Sequence, residues 1–191
     1  MPKQRITKDQ VLQAAFQLAR QGGMERVLVK SIAEKLGCSV QPIYSYCQNM
    51  EALRREVEVM TEAFVRQYAA ARADPGNPFS STGRAYIQLA REEPNLFRIF
   101  VLHRRVGVQS LEDLRQTQAD PCLAEQLAQE LGLSLEGARR LHLNMLLYTV
   151  GLGAVCAITD ISPQEIFAWQ EQGYQAFLAQ ALNQKEAESD E

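Results

Sequence analysis

Helix starts recur along this chain, and strand alternation does not. Short polar residues stand just ahead of apolar residues spaced by three and four, at Thr7, Ser39, Asn49, Ser110, Ser134 and Ser162. That is the signature of capped, amphipathic helices. No stretch of useful length alternates apolar and polar residues as a half-buried strand does. The sequence therefore predicts an all-α chain of about nine helices.

Local chemistry sets the boundaries. Thr7 and Gln10 can form a capping box, Val11, Ala15, Leu18 and Ala19 share one face, and Gly22-Gly23 ends the first helix. A second helix runs from about Val29 to Leu36 and stops at Gly37. Ser39 is expected to cap a third helix of under two turns, and Asn49 a fourth through Leu53, Val57, Met60, Phe64 and Tyr68. The stretch "ADPGNPFSS", Ala73 to Ser81, is the clearest boundary. Beyond it one helix passes through Tyr86, Leu89 and Ala90 to a break near Pro94, and another through Leu96, Phe97, Phe100 and Val101. Further starts stand at Ser110, Asp120-Pro121, Ser134 and Ser162-Pro163-Gln164-Glu165, two of them with proline at the first helical position. The last helix carries Ile166, Trp169, Tyr174 and Phe177. The expected division is a domain of residues 1–53, whose fourth helix continues to about 72, and a helical bundle from 74 to 191.

Composition narrows the function classes. With 191 residues and 46 % hydrophobic content, the chain can bury a real core. The net charge of −3 hides an asymmetry, since residues 1–50 carry +4 and the remainder −7. A small basic module on an acidic body suggests that one end meets a polyanion, with chance clustering as the competing reading. The polar N-terminus lacks the apolar region of a secretory signal. The most apolar run, Leu143 to Ile158, contains Asn144, Tyr148 and Thr149 and reads as a buried helix rather than a membrane span. A cytoplasmic protein is expected. The four cysteines, Cys38, Cys47, Cys122 and Cys156, form no CxxC pair and have no histidine at ligand spacing. Reduced thiols are the simple reading, and a redox switch the other. There is no Gly-rich phosphate loop, HExxH, G-x-S-x-G or Cys–His arrangement, so no enzyme, cofactor or metal site is expected. His103 and His142 are lone histidines, and Glu92-Glu93 reads as a solvated helix end.

The segment "SIAEKLGCSVQPIYSYCQNMEAL", Ser31 to Leu53, has the pattern of a helix-turn-helix. Ile32 and Leu36 face inward, Ala33 lets the next helix cross closely, and Gly37 supplies a left-handed turn. Ile43 anchors the third helix. Val40, Gln41, Pro42, Tyr44, Ser45 and Tyr46 are left around a short helix that is marginal alone. A short helix held out from a basic unit can enter a DNA major groove. A helical hairpin with no ligand fits the same pattern.

The stretch "ITKDQVLQAAFQLARQGG...VKSIAEKLGCSVQPIYSYCQNMEAL" resembles the N-terminal DNA-binding domain of the Tet-repressor (TetR) family of transcription regulators. The resemblance covers residues 6–53 and rests on Ile32-Ala33, Leu36-Gly37, Ser39, Ile43-Tyr44 and Glu51-Ala52-Leu53. Residues 83–101, "GRAYIQLAREEPNLFRIFV", also look like a C-terminal regulatory domain found in that family. The resemblance implies that Gln41, Pro42 and Ser45 face base edges and that Tyr44 and Tyr46 meet phosphates through their hydroxyls. Lys3 and Arg5 would form a minor-groove arm, and Lys30 and Arg54 are further DNA-binding candidates. Three positions depart from the pattern. Leu28 stands where many members have a capping Thr, a loss of roughly 1 kcal/mol. Cys47 replaces an aromatic, and Met50 a phosphate-binding Lys. Lost phosphate contacts weaken binding to every sequence alike.

For the rest of the chain the family plan implies dimerisation and small-molecule binding. The two last long helices are apolar on more than one face, and "GLGAV" allows close approach. Gly151, Gly153, Trp169 and Phe177 are candidates for a two-fold, four-helix interface. Such a dimer would present two probe helices about 35 Å apart, one DNA turn. Burial inside one chain is the alternative. Tyr86, Phe97, Phe100, Val101, Leu114, Asn144, Tyr148 and Thr149 are candidate effector-binding residues, with Leu143, Leu146, Leu147 and His142 beside them, although plain core has the same spacing. The expected function is a dimeric, ligand-responsive transcription regulator, a repressor released from a palindromic operator by a small apolar or amphipathic effector. The alternatives are a ligand-binding helical dimer with weak or lost DNA binding, motivated by Leu28 and Met50, and a helical-bundle enzyme, which the missing catalytic constellation disfavours.

Overall fold

The computed structural model describes residues 6–46, 49–103, 105–118 and 121–189, with the backbone alone at 117–118, 121–122 and 184–189. Among them there are ten α-helices and a 3-10 turn, and no strand. The helices are α1 (Lys8–Gly22), α2 (Val29–Leu36), α3 (Gln41–Tyr46), α4 (Met50–Ala70), α5 (Pro78–Glu92), α6 (Pro94–Leu102), α7 (Leu111–Gln118), α8 (Pro121–Leu131), α9 (Leu135–Ile158) and α10 (Pro163–Ser189). The 3-10 turn spans Met24–Arg26. The count is one more than the expected nine, and the starts expected at Ser110 and Asp120-Pro121 lie at the openings of α7 and α8.

The caps expected at Thr7, Asn49, Ser134 and Ser162 are in place. Thr7 and Gln10 form both halves of a capping box. Asn49 Oδ1 accepts from the Ala52 amide at 2.8 Å, Ser134 Oγ from Gly137 at 3.1 Å and Ser162 Oγ from Glu165 at 3.2 Å. Each bond satisfies an amide that the first helical turn leaves without a partner. Leu28, ahead of α2, makes no such side-chain bond.

The chain divides into two compact units, residues 1–72 with 89–103, and residues 73–88 with 104–191. The expected boundaries were 53 and 74. The difference is α6, which the sequence grouped with the bundle and which adds Leu96 and Ile99 to the core of the first unit. That core is built from Val11, Ala15 and Ala19 of α1, Ile32 and Ala33 of α2, Ile43 of α3, and Leu53 and Val57 of α4. Polar ties reinforce it. Arg20 is held by both carboxylate oxygens of Glu93, Asn95 Nδ2 donates to the Arg20 carbonyl at 3.1 Å, and Arg98 pairs with Glu25 at 2.8 Å.

In the second unit, Leu127 and Leu133 pack with Ala138, Leu141 and Met145 of α9 and Ala181 of α10. A separate cluster joins Ile87 of α5, Cys156 of α9 and Ile166 of α10. The α9 helix corrects one expectation. It is long and apolar enough to cross a membrane by length and composition, and 28 % of its most apolar window is buried within the chain. The polar residues Asn144, Tyr148 and Thr149 do not lower its apolar character enough to exclude it on those grounds.

Candidate functional site

The turn between α2 and α3 is a Schellman motif. Gly37 sits at φ 63°, ψ 33°, its amide donates to the Glu34 carbonyl at 3.1 Å, and the Cys38 amide donates to the Ala33 carbonyl at 3.0 Å. A residue with a Cβ is strained in that left-handed conformation. The turn directs the chain into α3, which begins at Gln41 rather than directly after Ser39. The Val40 carbonyl accepts from the Ile43 and Tyr44 amides at 3.1 and 3.3 Å, so Val40 holds the cap position expected of Ser39. Its side chain cannot accept a hydrogen bond. Full burial of Ile43 holds α3 in place, worth about 1.5–3 kcal/mol for a side chain of that size.

The outer face of α3 presents Val40, 43 % exposed, with Gln41, Tyr44 and Ser45, of which Tyr44 is 64 % exposed. Pro42 is half-buried. Ser45 Oγ donates to the Gln41 carbonyl at 3.1 Å. Tyr46 corrects the sequence reading. Its hydroxyl donates to the Ile6 carbonyl at 2.7 Å and is half-buried, so its single proton is not available to a phosphate. Its position three residues after the buried Ile43 places it on the inner side.

The cations around this face are fewer than the +4 charge suggests. Lys8 pairs with Glu56 at 3.0 Å, Arg20 with Glu93, and Arg55 of α4 with Glu51. The Glu93 hydrogen bond, opposed by partial burial, raises the Arg20 guanidinium further above its ordinary range. Lys30 is exposed on α2, and it, Arg26 and Lys35 have no ion-pair partner among the described residues. Lys35, in the last turn of α2, was not singled out from sequence. Arg54 is half-buried, with Nε buried and without a hydrogen-bond partner among the described residues. Met50 is half-buried against the core of the first unit. Lys3, Arg5 and Cys47 lie outside the described residues, as does the side chain of Cys122.

The expected effector residues fall in both units. Phe97 is buried in the first unit, beside half-buried Phe100 and Val101, and the Phe100 carbonyl is 2.6 Å from His103 Nδ1. In the second unit Tyr86, Leu114 and Asn144 are half-buried and Thr149 is buried. Tyr148 packs edge-on to Phe177, centroids 5.9 Å apart, and its hydroxyl donates to the Trp169 carbonyl at 3.4 Å. His142 and Tyr174 both meet the Phe79 ring, at 6.0 and 5.9 Å. Sequence reasoning missed Gln170, which is 3 % exposed with Oε1 unpartnered among the described residues. Its amide nitrogen occupies the space that a Cβ on Gly83 would need, near the Thr149 hydroxyl. The signal was available: Ile166, Gln170, Phe177 and Ala181 share one helical face, on which the glutamine is the polar member.

Of the expected interface residues, Trp169 is 57 % exposed and Gly151 faces open space. Gly153 is buried and Phe177 half-buried against its own chain's core. Two residues beyond Gly151 is roughly 200° around a helix, so the two glycines cannot share an outer face. Leu147, Val155 and Ile158 are exposed with Gly151, at spacings of four, four and three. Among the described residues no group of three His, Cys, Asp or Glu side chains is placed to hold a metal.

Residues 11–57 match the family described as bacterial regulatory proteins, tetR family. A search of curated proteins gives no significant match. Among solved structures seventeen chains match. One is a TetR variant from Acinetobacter baumannii AYE in complex with minocycline, with a TM-score of 0.60 and 18 % identity over 91 % of this chain and 95 % of that one. At that identity the likeness is one of fold. The segment that carries the exposed α3 thus matches the tetR family of bacterial regulatory proteins, and the chain as a whole shares the fold of that TetR structure.

Proposed function

We propose that the chain is a cytoplasmic, dimeric, ligand-responsive transcription regulator, a repressor that leaves a palindromic operator when a small apolar or amphipathic effector binds. The observation that carries this is α3, a six-residue helix anchored by one buried isoleucine and presenting Val40, Gln41, Tyr44 and Ser45 to solvent within the family-matched segment. A helix that short has no independent stability, and its exposed face has no structural use inside the unit. Exposed Lys30 and Lys35 on α2 supply cations for the flanking phosphates.

The dimer is proposed along Leu147, Gly151, Val155 and Ile158 of α9 with Trp169 of α10, an apolar stripe that a second copy would cover. The proposed effector contacts in the second unit are Tyr86, Leu114, Asn144, Tyr148 and Thr149. The TetR structure in complex with minocycline supports a ligand-binding role for this fold. An effector acts by binding one spacing of the two probe helices better than another. Operator and effector then weaken one another by the same factor.

The test is retardation of duplexes from the chain's own promoter region across a salt series. Binding whose logarithm falls with log salt supports the reading. No retardation at low salt would falsify it. The second reading, a ligand-binding dimer with weak DNA binding, is favoured by uncapped Leu28 and by Met50 where a cation is expected. It predicts compound binding in the same preparation without retardation.

A further inference from the structure

The reading head of α3 carries no charge. From Leu36 to Met50 there is no Asp, Glu, Lys, Arg or His. The major groove is read by a chemical code: guanine by bidentate Arg or Lys, cytosine by an acceptor carboxylate, adenine by bidentate Asn or Gln, and thymine by apolar contact with its methyl group. The groups that recognise guanine and cytosine most strongly are therefore missing from this segment.

Three of the polar groups that remain are engaged. Tyr46 gives its hydroxyl proton to the Ile6 carbonyl, and Ser45 gives its own to the Gln41 carbonyl. Asn49 Oδ1 accepts from Ala52 in capping α4. Gln41 is exposed in the first turn of α3, the end of a recognition helix that meets bases. Val40, immediately before it, turns a branched apolar side chain to solvent, with Pro42 half-buried on the other side. An apolar side chain in the major groove has one specific partner, the methyl group of thymine.

On the reading that this chain binds operator DNA, we infer that α3 specifies A·T pairs: the Gln41 amide pairs with the N6 and N7 edge of an adenine, and Val40 packs on a neighbouring thymine methyl. Each half-site has an A·T core, and sequence discrimination rests on one amide and one methyl contact rather than on charge.

The full-length chain should be used to select duplexes from a random-sequence library, and the best site then measured with each thymine replaced singly by deoxyuridine, which removes only the methyl group. The expected site is a palindrome with A·T pairs at its contacted core. One deoxyuridine per half-site should weaken wild type about fourfold, the value of one buried methyl, and leave Val40→Ala unaffected. Gln41→Ala should lose about 5- to 150-fold on the selected site and become indifferent to the base at the adenine position. Half-sites with G·C cores, or deoxyuridine effects equal in wild type and Val40→Ala, overturn the inference while leaving DNA binding intact. Enrichment of no duplex overturns DNA binding itself, and the inference with it.

Discussion

Met50 begins α4 half-buried against the core of the first unit, where the family pattern has a lysine. The site suits either residue, because a lysine stem can lie on apolar surface while its ammonium reaches water. Met50→Lys should then tighten binding to specific and nonspecific duplexes by similar factors, and steepen the log–log salt dependence by about 0.9 for one added phosphate contact. Titrations at several salt concentrations decide it, and an unchanged slope would remove position 50 from the DNA backbone. Tyr46 shows where residue-level reading of sequence stops. A tyrosine two positions from another exposed tyrosine looks equally available, yet its proton goes to a carbonyl forty residues away in the chain. Such a partner is a product of tertiary packing and leaves no mark on local spacing.

Elements are a different case. Thr7, Asn49, Ser134 and Ser162 each accept the amide expected of them, because capping is settled within four residues of chain. Ser39 failed because α3 is set by its anchor, Ile43, and by the Schellman turn that precedes it. The seam between α4 and α5 offers a test at this scale. Tyr68 donates to Glu92 at 2.6 Å, and Arg72 lies over the Tyr68 ring at 3.5 Å and reaches Glu92 at 3.3 Å. Burial, and then the Glu92 carboxylate, push the Tyr68 phenol well above the ordinary tyrosine range. Below about pH 10 the phenol is protonated in both folded and unfolded chains. Above it, the unfolded chain releases a proton that the folded chain keeps, so stability falls as pH rises. Thermal melts from about pH 9 to 11 should show a steeper loss for wild type than for Tyr68→Phe. Parallel curves would mean that the bond is not held in solution. Gln170 gives a second test. Replacing a buried amide whose oxygen lacks a partner with an apolar side chain of similar length should stabilise the chain by about 1 kcal/mol. Calorimetry of Gln170→Met would show a raised melting temperature, and a fall would indicate that the amide oxygen is satisfied by water.

At the scale of the whole molecule, the all-α plan was legible and the partition was not. The assignment of α6 to the first unit depends on Leu96 and Ile99 joining its core, with α6 packed on α1 and α4, a long-range packing fact. The effector residues were illegible for a related reason, since a side chain lining a cavity and one filling a core recur at the same helical spacing. The two glycines of α9 separate the fold from the proposed assembly. Gly151 is open and Gly153 is buried. Gly151→Arg should give a folded monomer by light scattering and circular dichroism, whereas Gly153→Arg should unfold or aggregate. A folded dimer of Gly151→Arg would take the proposed interface off this stripe.

Cys156 makes the second unit its own clock. The thiol is 0 % exposed, held with Ile87 and Ile166 where α5, α9 and α10 meet. A small alkylating reagent can reach it only when those helices part, so its labelling rate counts openings of that seam. In a variant that keeps Cys156 as its sole cysteine, an effector bound in this unit should slow the labelling in proportion to its occupancy. The same curve would then report binding and breathing from a single sulfur atom, without any DNA in the tube.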